Sequence, residues 1–277
     1  MPKPRLHSSP AASRYPHGGP GRTLKARLAA GEVLVSGMVA EYCNPTLMKY
    51  YEQAGFDFVY FETEHIRFDS AAFLSTVLAA RDCGLPPVAK VPQLDRAEVA
   101  WLLEYGVVGI QLPRTESRDQ LETLLDYLKF PPSGTRAYAA GYGNSDYVTP
   151  ENKRAWMADQ DAESTVVVHI ETRAGYESAE EIISTPGVDM VYVGPGDFSV
   201  EMGQPGDADH PDVTGPMRAI LEICKRHRVP FGTTASSAEA AERWVREGAL
   251  FFEAADERGL ILQSAIELVD SYRRFTR

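Results

Sequence analysis

The sequence predicts an α/β fold, a (β/α)8 TIM barrel, and three observations carry that expectation. Eight short runs rich in β-branched and aromatic residues recur along the 277-residue chain. Longer segments with apolar residues at helical spacing separate them. The eight units share about 250 residues, the usual size of such a barrel. An open doubly wound sheet is the alternative architecture.

The first 22 residues, MPKPRLHSSPAASRYPHGGPGR, are dense in Pro, Gly and Ser and short of aliphatics. They cannot bury enough surface to offset ordering entropy and read as a mobile basic extension, residues 1–22, before a single domain spanning 23–277. The strand candidates follow in order: VLVSGMVA (33–40), FDFVYFETE (56–64), PPVAKVP (86–92), VVGIQLP (107–113), TVVVHIE (165–171), DMVYVGP (189–195), VPFGTT (229–234) and ALFFEAAD (249–256). Helical segments between them include PTLMKYYEQAG, SAAFLSTVLAARDCG, RAEVAWLLEYG, SRDQLETLLDYLKF, GPMRAILEICKRHR and AEAAERWVREG, several ending in a Gly suited to a helix stop. One stretch breaks the rhythm. Residues 131–154, PPSGTRAYAAGYGNSDYVTPENKR, are long, Gly- and Tyr-rich and weakly periodic, and are expected over the functional site or at a subunit contact.

Net charge is -11, from 28 Lys plus Arg and 39 Asp plus Glu. Counted to Arg27, the leader carries +6 and the remainder -17. So acidic a body argues against nucleic acid, whose binding needs clustered cations. Cys43, Cys83 and Cys224 are odd in number and widely spaced, which fits neither a disulfide framework nor a thiolate zinc site. No run reaches the roughly 18 apolar residues of a membrane span, and no secretory h-region opens the chain. A reducing cytoplasm is the expected location.

In a parallel barrel the loops after the C-terminal strand ends form the active face, so polar residues there are read first. Strand two ends in Glu62, Glu64 and His65, strand three in Lys90, strand five in His169 and Glu171, and strand eight in Asp256, while strand six leads to Asp197. Glu171 and Asp197 belong to neighbouring strands about 4.8 Å apart, where two carboxylates suit a hard divalent cation. The plainer alternative is a helix cap or a pair with Arg173. A carboxylate beside His65 would orient the ring for acid–base work, although an isolated histidine in such a place is more often structural. Lys90 interrupts an apolar run and reads as a Schiff-base nucleophile, a fixed charge for an oxyanion, or a snorkelling side chain. Walker A, dinucleotide and nucleophile-elbow motifs are absent.

Residues 24–274 resemble the metal-dependent class II pyruvate aldolases of the HpcH/HpaI family through an ordered set of motifs. They are GFDFVYFETEH, PPVAKVP followed by LLEYG, FPPSGTR, VVVHIET, GVDMVYVGPGDFS and GALFFEAADERGLI. The resemblance implies a barrel of the phosphoenolpyruvate/pyruvate-binding type, assembled as a homotrimer or homohexamer with the last helix on a neighbouring subunit. It implies Glu171 and Asp197 as ligands of Mg2+ or Mn2+, with Co2+ an option, and His65 as the acid–base group. It also implies that the backbone at Gly196 and Asp197 receives a 2-oxo acid carboxylate, that Glu62 or Glu104 supports the histidine, and that Lys90 stabilises an enolate oxygen.

Several residues depart from the family pattern. Glu62-Thr63-Glu64-His65 stands where Asp-Gly-Glu-His is usual, Lys90 replaces an Arg, His169 a Gln and Glu104 an Asp. The implied activity is divalent-metal-dependent carbon–carbon lyase chemistry on a 4-hydroxy-2-oxo acid, with pyruvate or oxaloacetate and an aldehyde or other electrophile as the small-molecule partners. His169 joins the expected substrate contacts, or serves as a third ligand. A decarboxylating or enolate-condensing enzyme like macrophomate synthase, and a silent 2-oxo-acid-binding barrel, are the alternatives.

Overall fold

The computed structural model describes residues 15–275. Eight strands form one closed parallel barrel in sequence order: β1 Leu34–Val39, β2 Phe58–Glu62, β3 Pro87–Lys90, β4 Gly109–Leu112, β5 Thr165–Ile170, β6 Met190–Val193, β7 Phe231–Thr233 and β8 Phe251–Asp256. All eight expected strands are present. Leu34 pairs with Phe251, which closes the barrel and excludes the open sheet.

Alternation along each strand sorts the core into two apolar clusters. Leu34, Phe58, Tyr60, Val88, Val167, Met190, Tyr192 and Phe251 form the barrel interior. Their strand neighbours Val59, Phe61, Ala89, Ile110, Val166, Val168, Val191 and Phe252 belong to the larger cluster against the surrounding helices. Both strand faces are buried, so the sequence shows apolar runs rather than clean alternation.

The helices begin and end where local chemistry directs. Asn44 caps α2 (Pro45–Ala54) by accepting from the Thr46 amide, and Gly55 ends it at φ 92°. Asp69 caps α3 (Ser70–Asp82), Asp95 caps α4 (Arg96–Glu104), and Ser117 with Gln120 makes a capping box for α5 (Arg118–Leu128). Each runs from the C-terminal end of one strand toward the N-terminal end of the next. Among the described residues no helix is long and apolar enough to cross a membrane.

The expected extension requires a correction over its second half. Residues 1–14 lie outside the described residues, but α1 (Pro20–Ala29) begins within the segment assigned to the extension. Leu24 and Leu28 join the interior cluster, so α1 closes the N-terminal end of the barrel. Glu163, at the end of α6 (Lys153–Glu163), accepts from the Gly21 amide at 2.7 Å and from Arg22 Nε at 2.5 Å. Among the described residues of the charged leader, Lys25 lies 3.7 Å from Asp189 and Arg27 2.7 Å from Asp57. They belong to the folded body's ion pairs.

For part of the irregular stretch 131–154 the first of the two expected places, over the functional site, does not hold. Its last residues start α6, and Gly143 packs against the Tyr105 carbonyl beyond α4, where a Cβ would come within 2.3 Å. Asp146 pairs with Arg81 at 3.0 Å, again at helix C-terminal ends. This part lies toward the N-terminal end of the barrel, away from the face that carries the chemistry.

A Cβ at Gly21 would fall 1.9 Å from the Glu163 carbonyl oxygen. Gly21→Ala is therefore expected to destabilise the fold by about 2 kcal/mol through overpacking. Urea unfolding checks this as a lower midpoint at unchanged slope.

Candidate active site at the C-terminal mouth of the barrel

Inward positions near the C-terminal strand ends become polar: Glu62 on β2, Lys90 on β3, Gln111 on β4, His169 on β5, Tyr192 on β6 and Glu253 on β8. All six are buried. Phe58 and Tyr60 line the interior below Glu62, and Val88 lies below Lys90, so period two delivers both charged side chains to the same cavity.

Lys90 is the cation of this layer. Its Nζ lies 3.1 Å from Glu62 Oε2 and 2.7 Å from Glu64 Oε2. Burial opposes the ammonium, but Glu62 and Glu64 outweigh it and raise the Lys90 pKa above its ordinary value. The side chain is a fixed charge, and a Schiff-base nucleophile would need the opposite shift. Thr63, standing where the resemblance gives Gly, donates through Oγ1 to the Lys90 carbonyl.

His65 lies at the rim with its side chain 63% exposed. Its Nε2 is 3.6 Å from Glu64 Oε2. Glu62 Oε1 instead accepts from the backbone amides of Glu64 and His65, at 2.9 and 3.1 Å. Glu64 is thus the acid beside the ring, whereas Glu62 fixes the turn and Lys90. Glu104 is not brought to this mouth within one chain, because it ends α4 on the far side of the βα unit.

Glu171 continues β5 into the mouth and is 3% exposed. One oxygen accepts from the Arg114 amide at 2.9 Å, and the other lies 3.0 Å from His169 Nε2. Arg114 holds φ 47°, an unusual conformation for a side-chain-bearing residue, and thereby aims its amide at Glu171. Burial pushes the Glu171 carboxyl up, but His169 at 3.0 Å, the Arg114 amide and Lys90 together bring it down to about 2. Gly194 makes room for the histidine: a Cβ there would lie 2.5 Å from His169 Nε2.

Asp197 is exposed in the first turn of α9 (Pro195–Glu201), following β6. Ile170 pairs with Val193, so the residues leading to Glu171 and Asp197 run from neighbouring strands. Gly196 is exposed beside Asp197, and a Cβ there would meet nothing within 4 Å. Arg173 bonds to Glu201, through its amide at 3.4 Å and its guanidinium at 3.2 Å. Its recorded partner is therefore neither Glu171 nor Asp197.

Two acidic groupings bear on a cation. Ligand atoms of Glu62, Glu64 and His65 lie within 4.8 Å of one another. Lys90 already pairs with both carboxylates of that grouping and would repel a second cation. Glu171 is held ionised, as a ligand must be, and its oxygens with those of Asp197 on the next βα unit are donors of the kind a hard divalent ion takes.

Residues beyond the expected set also shape the mouth. Glu257 opens α12 (Glu257–Arg273) and accepts from the Ala40 and Tyr42 amides at 2.9 and 2.8 Å, with Glu41 a further donor, pinning the loop after β1. Asp256 caps α12 through the Gly259 amide at 2.7 Å, a structural role. Gln111, Tyr192 and Glu253 were not singled out in the sequence. A charged residue inside the apolar run ALFFEAAD was the available signal for Glu253, the same signal that identified Lys90.

Comparison with known proteins gives this geometry a family. The chain is 27% identical over 250 residues to 5-keto-4-deoxy-D-glucarate aldolases of Shigella sonnei and Escherichia coli strain K12, covering 90% of this chain and 96% of each relative. An HpcH/HpaI aldolase structure from Desulfitobacterium hafniense DCB-2 superposes with a TM-score of 0.85 at 26% identity, over 90% of this chain and 96% of that one. Macrophomate synthase shares the fold, with a TM-score of 0.78 at 19% identity over 98% of this chain and 96% of its own. The family described as HpcH/HpaI aldolase/citrate lyase matches residues 36–263. With most of its length and its whole barrel accounted for in this way, the chain belongs to the HpcH/HpaI aldolase/citrate lyase family.

Proposed function

We propose that the protein is a divalent-metal-dependent carbon–carbon lyase that cleaves, or in reverse forms, a 4-hydroxy-2-oxo acid by way of a pyruvate enolate. The carrying observation is a single mouth that combines ionised Glu171, charged Lys90 and an exposed His65 ring. Mg2+, Mn2+ or Co2+ held by Glu171 and Asp197 would supply Lewis-acid polarisation of the 2-oxo group.

The chain's own groups account for the remaining work. His65 takes the proton from the C4 hydroxyl, the C3–C4 bond breaks, and an aldehyde carbonyl forms. The electron pair from that bond becomes the enolate, whose oxygen is stabilised by the Lys90 charge. Returning a proton to C3 gives pyruvate. The Gly196 and Asp197 amides, in the first turn of α9, receive the substrate carboxylate, and His169 lines the same subsite. Glu62 holds Lys90 in place, while Glu104 serves a neighbouring subunit's site.

Assembly as a homotrimer or homohexamer is part of this reading. Leu260, Ile261, Leu262, Ile266 and Leu268 of α12 are exposed, and a groove of about 580 Å3 lies between α12 and α2. That apolar surface suits burial by another copy. The three free cysteines fit a reducing cytoplasm.

EDTA is expected to lower turnover at least about 100-fold, with recovery on adding Mg2+, Mn2+ or Co2+. Full activity in the chelator would refute the metal role. His65→Ala should lower cleavage of a 4-hydroxy-2-oxo acid by about 100- to 10,000-fold, yet spare oxaloacetate decarboxylation, which forms the enolate without deprotonating a hydroxyl. Equal loss in both assays would remove His65 from the base role. Ile261→Asp is expected to shift the mass measured by light scattering toward the monomer, and an unchanged mass would place the subunit contact elsewhere.

A further inference from the structure

We propose that a second ligand site lies at the N-terminal end of the barrel, opposite the mouth, and that it takes a small hydroxylated organic cation of the amino sugar or amino alcohol class. It does not depend on the lyase reading above. A cavity of about 410 Å3 opens there, within the roughly 300–1,000 Å3 that small-molecule sites occupy. Its walls come from the segment leading into α1, the C-terminal end of α3, the turn between α4 and β4, and the turn Gly143–Ser145. Trp156, Asp159, Gln160 and Glu163 complete it from one face of α6, at helical spacing.

Two lining side chains carry unmatched polar atoms. Asn144 is 5% exposed, and its Nδ2 donates to the Ala139 carbonyl at 2.9 Å. That bond fixes which way the amide turns and leaves Oδ1 as a buried acceptor with no partner among the described residues. Trp156 supplies the complementary group, since its buried indole Nε1 has no acceptor among the described residues. The rings of Phe130 and Tyr138, with centroids 5.8 and 5.6 Å from that of Trp156, hold the indole in place. An unpaired buried donor or acceptor costs about 1–3 kcal/mol, so a ligand that accepts from the indole and donates to the amide relieves both. Hydroxyl groups do both.

Charge selects the sign of the ligand. Asp82, Asp146, Asp159 and Glu163 line the cavity against only Arg22 and Arg81. Both guanidinium groups are occupied: Arg22 pairs with Glu163 at 2.5 Å and with Asp159 at 3.3 Å, and Arg81 pairs with Asp146 at 3.0 Å. Asp82 has no ion pair among the described residues. An anionic ligand would meet this acid excess unfavourably, whereas an ammonium group offsets it. Leu103, Val107 and Pro150 give the carbon skeleton an apolar wall.

The residues before α1 keep the cavity in shape. Tyr15 Oη donates to the Arg81 carbonyl at 2.8 Å, which ties the leader to α3. At Gly19 a Cβ would lie 2.2 Å from Glu163 Oε1, so the bare backbone lets the leader reach α6.

Calorimetric titration of the full-length protein with glucosamine, glucose and glucuronate tests the site. Glucosamine is expected to bind at least about tenfold more tightly than glucose, and glucuronate more weakly than either. Trp156→Phe, which keeps a ring but loses the donor, should weaken glucosamine about tenfold, and Asp82→Asn about threefold. Neither residue belongs to the catalytic groups of the mouth, and thermal unfolding of each variant separates lost binding from lost fold. Absence of glucosamine binding overturns the proposal. Unchanged glucosamine affinity in Trp156→Phe overturns the site. Glucose or glucuronate binding as tightly as glucosamine, or unchanged affinity in Asp82→Asn, overturns the choice of a cation.

Discussion

Closure of a parallel sheet on itself is the constraint on which the rest depends. Once β1 pairs with β8, every strand has one face toward the helices and the other toward an enclosed interior. Helix-facing positions must be apolar throughout. Inward positions have more freedom near the C-terminal mouth, where a polar side chain can meet partners from several strands. Lys90, Glu62, His169 and Glu253 all occupy that region, and chemistry is concentrated at one end because the other end is closed by α1. The ion pair of Arg22 with Glu163 and the amide of Gly21 fasten that closure, which links the chain's early residues to the stability of the barrel.

Charge balance in the interior follows from burial. An isolated buried ammonium is strongly disfavoured, but two carboxylates within about 3 Å reverse the preference and keep Lys90 charged. Burial, with Glu62 adding to it, disfavours a further carboxylate at Glu253. Glu171 has the His169 ring and a backbone amide aimed at it. Glu253 is buried among inward-facing side chains, with no such amide recorded against its carboxyl among the described residues. Two buried glutamates in one barrel thus shift in opposite directions, one to about 2 and the other to about 8.

The fold was legible because a barrel imposes a repeated pattern: β-branched runs at regular intervals, capped helices between them, and enough chain for eight units. Glu62, Lys90 and Glu171 were legible for a related reason, since ionisable residues in or just after apolar runs fall at strand ends. The order of residues 15–22 was not. Gly19, Pro20 and Gly21 resemble linker composition, and their purpose appears only when Glu163, more than 140 positions later, supplies the partner. The division of labour between Glu62 and Glu64 was likewise hidden, because sequence gives their proximity to His65 but not which carboxylate turns toward the backbone. Glu253 escaped notice because its burial depends on inward-facing residues of other strands.

The exchange of Lys for the Arg that the family pattern gives at position 90 ties these observations together. A guanidinium is a planar fork that binds carboxylates bidentately, whereas an ammonium is a compact charge that moves toward the strongest negative potential. Such a charge is held at the mouth only if the negative groups there exceed those below. Glu62 and Glu64 supply that attraction, at 3.1 and 2.7 Å from the ammonium. Thr63 adds a restraint on the Lys90 backbone. A lysine at this position therefore depends on its two carboxylate neighbours for its placement, a dependence that a rigid fork would feel much less.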